Sequence, residues 1–271
     1  MLSIIKLGGS VITDKASDMP KPNMMAIEQV CRAIAEAYAQ MAVNSERLII
    51  IHGAGSYGHP IVKRTGIGQG IQSNKQLLSL AETQLLQNEL NTIVVRELIE
   101  NGVPAFPVQA SASAMMKSGK LVSMDTGAIK GLLDSGMVPV LYGVPAYDEN
   151  QKCSILSGDV IVTYLASELK AKRVVHASTV DGVCTSDPAA DEKAQLITMV
   201  DSNNLVDVMN ILRQRPDSDV ADVTSGMLGK LSELVSASRL GIDCLIVNAL
   251  KPDRIKRALL GLEVEGTRIT L

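Results

Sequence analysis

The sequence has no tryptophan, one phenylalanine (Phe106) and five tyrosines among 271 residues. Its core must therefore be aliphatic, built from Leu, Ile, Val, Ala and Met. Four cysteines (Cys31, Cys153, Cys184, Cys244) form no CxxC pair and no metal-ligand spacing, which reads as free thiols rather than a disulfide framework or metal site. Neither sign of charge dominates: the net charge is −3, without a long run of either sign. That excludes the basic face of a nucleic-acid or membrane-surface protein. No apolar run approaches the roughly 18 residues of a membrane span. The start, Met1 to Ser10, lacks the charged segment and apolar length of a signal peptide. A cytoplasmic protein is expected.

What is present is 46% apolar residue content spread along the chain. A domain of this length buries roughly 70–75% of its unfolded surface and needs no staples. The expectation is one domain over residues 1–271, with lobes 1–170 and 171–271 meeting near Lys170. Short β-branched runs alternate with helical patterns, which predicts an α/β fold with an open, mainly parallel central sheet and helices on both faces. Strands are expected at 3–7, 48–51, 105–108, 138–142, 174–177, 244–247 and 268–271. Helices are expected near 24–42, 75–101, 158–168, 203–213, 226–240 and 252–260, with a short one capped by Asp125 or Thr126 and a hairpin within 143–157. In the helix from Lys75, Leu77, Leu78, Leu85, Leu86, Leu90, Ile93 and Val94 recur near the 3.6-residue period of a core stripe.

The chemistry concentrates where strands run into loops. The run from Leu48 to Pro60 reads LIIIHGAGSYGHP. Three glycines within six residues allow close backbone approach and let N–H groups converge on an anion. His59 adds an imidazole that can donate to a phosphate oxygen, although a loop histidine that only caps a turn reads the same way in isolation. His52, at the strand end, and His176, within a strand, read as packed residues. Earlier in the chain, Lys6-Leu7-Gly8-Gly9-Ser10 ends the first strand and Lys15 follows. Glycines after a strand, with lysines beside them, suit phosphate, but Gly8-Gly9 alone also fits a tight turn. The spacing matches neither a Walker A loop nor a dinucleotide fingerprint. Asp222 to Lys230 reads DVTSGMLGK. There Thr224, Ser225 and Gly226 form a helix cap and first turn, with Lys230 one turn on, suited either to a nucleotide phosphate or to an ordinary capped helix. Thr179 to Pro188 is a turn-rich loop after a strand, where open α/β sheets place ligands.

Taken in order, these motifs resemble those of the amino acid kinase superfamily, and within it the isopentenyl phosphate kinases, along essentially the whole chain. His59 separates that branch and the fosfomycin kinases from the acetylglutamate, aspartate and uridylate kinases. The resemblance implies that Lys6, Gly8, Gly9 and Ser10 contact ATP phosphates and that Lys15 stabilises the transferring phosphoryl group. It implies that Ala54, His59 and Gly158 hold the acceptor phosphate while Gly55 lies against the nucleotide phosphates. Asp159 would orient the lysines, Asp181 and its loop would line the nucleoside pocket, and Lys230 would contact the β- and γ-phosphates. A homodimer joined through helices of the N-terminal half is implied as well. Three residues depart from the pattern: Ala54 in place of a glycine, Ser225 in place of a glycine, and Cys184 in place of a tyrosine.

This residue set suits transfer to a phosphate. The second pKa of a phosphate monoester lies near 6, so the nucleophilic oxygen is anionic at pH 7 and needs no base. The barrier is the approach of two anions, which calls for lysines and N–H donors. Mg2+ is expected to bridge the nucleotide phosphates with few direct protein ligands, leaving no protein metal site to assign. An apolar tail is expected on the acceptor, a prenyl monophosphate, walled in part by leucines near residues 66–86. A kinase of another small phosphate or phosphonate such as fosfomycin would instead show a polar, basic pocket. A non-catalytic nucleotide-binding protein of the same fold would not require all of Lys6, Lys15, His59 and Lys230.

Overall fold

The computed structural model describes residues 1–14, 17–188, 190–214, 226–251 and 253–271. Its first half runs β1 (Leu2–Leu7), α1 (Gly9–Ile12), α2 (Met24–Val43), β2 (Arg47–His52), α3 (His59–Thr65), α4 (Asn74–Glu100), β3 (Ala105–Pro107), β4 (Ala114–Lys117), β5 (Lys120–Met124) and α5 (Gly127–Asp134). The second half runs β6 (Val138–Tyr142), β7 (Val144–Ala146), β8 (Ser154–Leu156), α6 (Gly158–Glu168), β9 (Arg173–Ser178), β10 (Met199–Val200), α7 (Leu205–Gln214), α8 (Gly226–Ser238), β11 (Asp243–Asn248), α9 (Arg254–Leu260) and β12 (Thr267–Ile269).

Eight strands form one sheet in the order β10-β12-β11-β9-β1-β2-β6-β3. Every pairing is parallel except β11 with β12. β1 is buried at all six positions, so its sequence LSIIKL lacks the alternation of a one-sided strand. Its residues still divide between two cores: Leu2 and Ile4 face one, Ile5 and Leu7 the other. The first core is closed by α5, α6, α7 and α8, the second by α2, α4 and α9. Each fully buried aliphatic side chain contributes about 1.5–3 kcal/mol, so these two layers drive the fold. No helix among the described residues is long and apolar enough to cross a membrane.

The predicted elements are present, with ends displaced by a few residues. The hairpin expected within 143–157 is β7 paired antiparallel to β8. Its turn is organised by buried Asp148, which accepts from the amides of Ser118, Gly119, Asn150 and Gln151 and from the Ser154 hydroxyl. Burial pushes the Asp148 carboxyl up, but these donors outweigh it and hold the group well below the usual carboxylate range. At α5 the two candidate caps divide the work: Thr126 occupies the cap position, while Asp125 Oδ1 accepts from the Gly127 amide at 2.8 Å.

The expected core stripe of α4 holds in its second half, where Leu90 and Val94 are buried and Leu86 and Ile93 pack against the core, and departs from expectation in its first half. Leu77, Leu78 and Leu85 are exposed, and the buried positions are Thr83, Gln87, Leu90, Asn91, Val94, Val95 and Leu98. Both faces fit a 3.6-residue period, and the inward one is polar in its first half. There Gln84 donates to Asn88 and to the Tyr142 hydroxyl, and Tyr142 in turn donates to Asn88. Half-buried Gln84 and Asn88 are thus satisfied by Tyr142 of β6, and buried Asn91 lies 3.1 Å from His52 of β2, so these polar groups can face inward.

Candidate active site

The parallel strands end on one edge of the sheet, where β1 runs into Gly8-Gly9, β2 into Gly53 and β6 into Gly143. The loops are tied to neighbouring strand ends: Gly8 N–H donates to Ala177, Gly53 N–H to Leu7 and Gly143 N–H to His52 carbonyls. The first two loops press together backbone to backbone. A Cβ on Gly9 would lie 2.4 Å from Gly55 N. Gly55 has φ +51°, and a Cβ there would lie 2.0 Å from Thr13 Oγ1. Only glycine meets both demands. Ala54 has φ −76°, so the departure from glycine at that position costs no backbone strain.

A clamp of two hydroxyls joins these loops to the segment after α1. Thr13 Oγ1 donates to the Gly9 carbonyl at 2.8 Å and accepts the Ser56 amide at 3.0 Å. Ser56 Oγ accepts the Lys21 amide at 3.1 Å and donates to the Lys21 carbonyl at 3.3 Å. His59 follows as the first, half-buried residue of α3. His52 is buried and stacked on Tyr142 with ring centroids 5.4 Å apart. Burial lowers its pKa, so the neutral ring carries one proton. Nδ1 lies 3.0 Å from the Gly53 carbonyl and Nε2 3.1 Å from Asn91 Oδ1, so the ring proton is donated to one of these two oxygens. His52 thus supports the loop, in line with the packed role read from sequence.

Lys6 is the one charged residue in β1, and it is only 6% exposed. Its Nζ lies 2.6 Å from Asp159 Oδ1, from the first turn of α6. Ser157 caps that helix by accepting the Val160 amide, which fixes where Gly158 and Asp159 stand. Gly158 sits against the lysine stem: a Cβ on it would lie 3.3 Å from Lys6 Cε. Burial opposes ionisation of Asp159, but the charges of Lys6 and Lys230 prevail and hold the carboxyl below its usual range. Lys230, one turn into α8, also donates to the Gly226 carbonyl at 3.1 Å. Lys6 is thus paired directly with the buried carboxylate, and the charge of Lys230 acts on the same group.

Lys6, Asp159, Gly158 and Lys230 are thus gathered together, and Gly8, Gly9, Ala54 and Gly55 form the adjoining floor, with Ser10 half-buried in α1. Asp181 is held separately by Asn248 at 3.0 Å and by Arg254. Lys15, Asp222, Thr224 and Ser225 lie outside the described residues. Cys184 is buried near the Asp181 loop, bridged to Leu196. The residue that the sequence reading passed over is His176. It is the register partner of Lys6 across β1 and β9, and its Nδ1 lies 3.4 Å from Asp159 Oδ1. A single histidine in an apolar strand gave no sign of that neighbour. Strand pairing alone, Lys6 beside His176, supplies it.

The model of the amino acid kinase family matches residues 1–248. The chain is 36% identical to the isopentenyl phosphate kinase of Methanothermobacter thermautotrophicus, over 98% of each chain. It is 34% identical to that of Methanocaldococcus jannaschii, over 99% of this chain and 98% of the other. X-ray structures of isopentenyl phosphate kinase include a chain that superposes with a TM-score of 0.83 at 34% identity, covering both chains fully. The product complex of the Thermoplasma acidophilum enzyme shares the fold, with a TM-score of 0.78 at 23% identity over 99% of this chain and 100% of the other. The chain belongs to the amino acid kinase family, in its isopentenyl phosphate kinase branch.

Proposed function

We propose that the protein transfers the γ-phosphoryl group of ATP to isopentenyl phosphate, giving isopentenyl diphosphate and ADP. The observation that carries this reading is the pair of interlocked glycine loops, one entered from Lys6 with its Asp159 partner and the other followed by His59, in a chain of this branch. Lys6 and Lys230, with Lys15, offset the charge of the two approaching phosphates, and Gly8, Gly9, Ser10, Gly55 and Gly226 lie along the nucleotide's phosphates. Ala54, His59 and Gly158 receive the acceptor phosphate, and Asp181 and its loop receive the nucleoside. Asp159 acts by holding Lys6, because a phosphate oxygen that is already anionic needs no proton removed.

Mg2+, if carried by the nucleotide, would supply positive charge to offset the phosphates, with the lysines at this site contributing beside it. The donors gathered at this site are ammonium and amide groups, and its carboxylate is engaged by Lys6, which suits a metal carried on phosphate rather than on the protein. An apolar tail is supported by Val62 and Ile155, both placed against Gly68 just beyond α3. The exposed Leu77, Leu78 and Leu85 of α4 support a homodimer, and a cytoplasmic location accords with the free thiols.

An ADP-release assay on isopentenyl, dimethylallyl and geranyl phosphates, fosfomycin, acetylglutamate and UMP tests the reading. Turnover of isopentenyl phosphate is expected. Turnover of fosfomycin alone would move the assignment to a phosphonate kinase, and ATP binding without any turnover would leave a nucleotide-binding protein.

A further inference from the structure

His176 stands in a row of side chains across the sheet: Ile51 on β2, Lys6 on β1, His176 on β9 and Ile246 on β11. It is 1% exposed, and neither ring nitrogen has a hydrogen-bond partner of normal geometry among the described residues. Burying an imidazole without a partner costs stability, so an aliphatic residue like its neighbours would serve a purely structural row better. The groups that face it are Asp159 from α6, Lys6 from β1 and Lys230 from α8. Burial and the two lysines hold its pKa down to about 3 against the pull of Asp159, so the ring is neutral and has one N–H. A carboxylate can only accept, which assigns that proton to Nδ1, the nitrogen 3.4 Å from Asp159 Oδ1.

The second relevant fact is that Asp159 is itself only 4% exposed and relies on Lys6 at 2.6 Å. A lysine that turns part of its ammonium toward a phosphate weakens its hold on that carboxylate. A buried carboxylate that loses its partner is costly unless another donor replaces it. We infer that His176 is a positioning residue whose Nδ1–H is the reserve donor for Asp159, tightening as Lys6 Nζ engages an incoming phosphate. At 3.4 Å the contact is longer than a normal hydrogen bond, and it is expected to shorten when Lys6 engages a phosphate, as hydrogen bonds at such sites commonly do. His176 touches neither reactant; it acts through Asp159 on Lys6.

The proposal rests on the kinase reading for its kinetic consequence and on the imidazole alone for its structural one, so two arms test them apart. In the first, nitrogen-15 NMR of the unmodified protein reads the His176 tautomer, with and without a non-hydrolysable ATP analogue. A neutral ring protonated at Nδ1, whose proton signal moves downfield with the analogue and shifts in Asp159→Asn, is expected. A ring protonated at Nε2, or an Nδ1 proton indifferent to both, overturns the proposal whether or not the protein turns over isopentenyl phosphate. In the second, His176→Phe and His176→Asn are compared in the ADP-release assay. The phenylalanine variant should lose about tenfold or more in kcat, the size expected for one lost donor to a charged group. Asparagine, whose amide NH2 can replace Nδ1–H, should restore most of it, with melting temperatures alike. Equal kcat in wild type and His176→Phe, or equal loss in both variants, overturns the proposal; an inactive wild type counts against the kinase reading alone.

Discussion

A methyl group on the α-carbon of Gly53 would lie 2.6 Å from the amide nitrogen of Gly9. The two residues belong to loops more than forty positions apart, and their backbones meet at the proposed phosphate site. The glycines are therefore required by contact within the protein as well as by any ligand.

Gly53→Ala is accordingly expected to destabilise the fold by about 1–3 kcal/mol through a clash that backbone atoms cannot relieve. Gly131, within α5, meets nothing within 4 Å. Gly131→Ala should stabilise by about 0.5–1 kcal/mol. Urea unfolding of the two variants measures both signs, and equal midpoints would contradict the contact argument.

Asp159→Asn leaves Lys6 buried without its counter-charge. A loss of about 3–5 kcal/mol in unfolding free energy is expected, the usual consequence of removing one member of a buried pair. The double variant Lys6→Met with Asp159→Asn should recover part of that loss while remaining inactive. Unfolding curves for the single and double variants close the cycle.

Acid should weaken the protein before its carboxylates titrate. The His176 pKa is about 3 in the folded state and 6.5 ordinarily, so between those values the unfolded chain binds the extra proton. Stability therefore rises with pH through this window and is lost as pH falls below 6.5. One histidine contributes at most about 3 kcal/mol between pH 6.5 and 4. Buried His52, also lowered, acts in the same direction. Asp159, held at about 2 against an ordinary 3.8, acts in the same direction but mainly below pH 4, where its contribution is lost as the pH falls toward its folded value. Chemical denaturation at pH 7.5, 6, 5 and 4 measures the slope, which His176→Phe should flatten.

His59→Ala should reduce kcat/KM for the phosphate acceptor by about 10²-fold, the magnitude seen on removing one donor from a developing charge. ATP affinity, by titration, should change by less than about threefold on that scale. An equal fall in ATP affinity would place His59 on the nucleotide side.

Much of this arrangement is legible in the sequence. Strands ending in Gly8-Gly9 and Gly53, the helix near 158–168 and the 143–157 hairpin follow from local patterns, and local patterns fix backbone direction. The partners of those segments are less legible. Thr13 and Ser56 carry no local signal of their partners, because their bonds join positions 43 and 35 residues apart. His176 reads as a packed residue because its neighbours in sequence are apolar; its relation to Asp159 exists only across strands. The outward leucines of α4 mislead for a different reason. A 3.6-residue period identifies a stripe without saying which side it faces, and the polar residues between the leucines have partners on β6.

The two hydrogen bonds between Ser56 Oγ and the Lys21 backbone, together with Thr13 bridging Gly9 and Ser56, carry a mechanical consequence. Three stretches of chain share one set of bonds, and their backbones already touch, so none can slide without the others. The two sides of this floor cannot part like jaws to admit or release a ligand. Any adjustment in size must come from above, where α6 and α8 carry Asp159 and Lys230 on elements that the clamp does not hold.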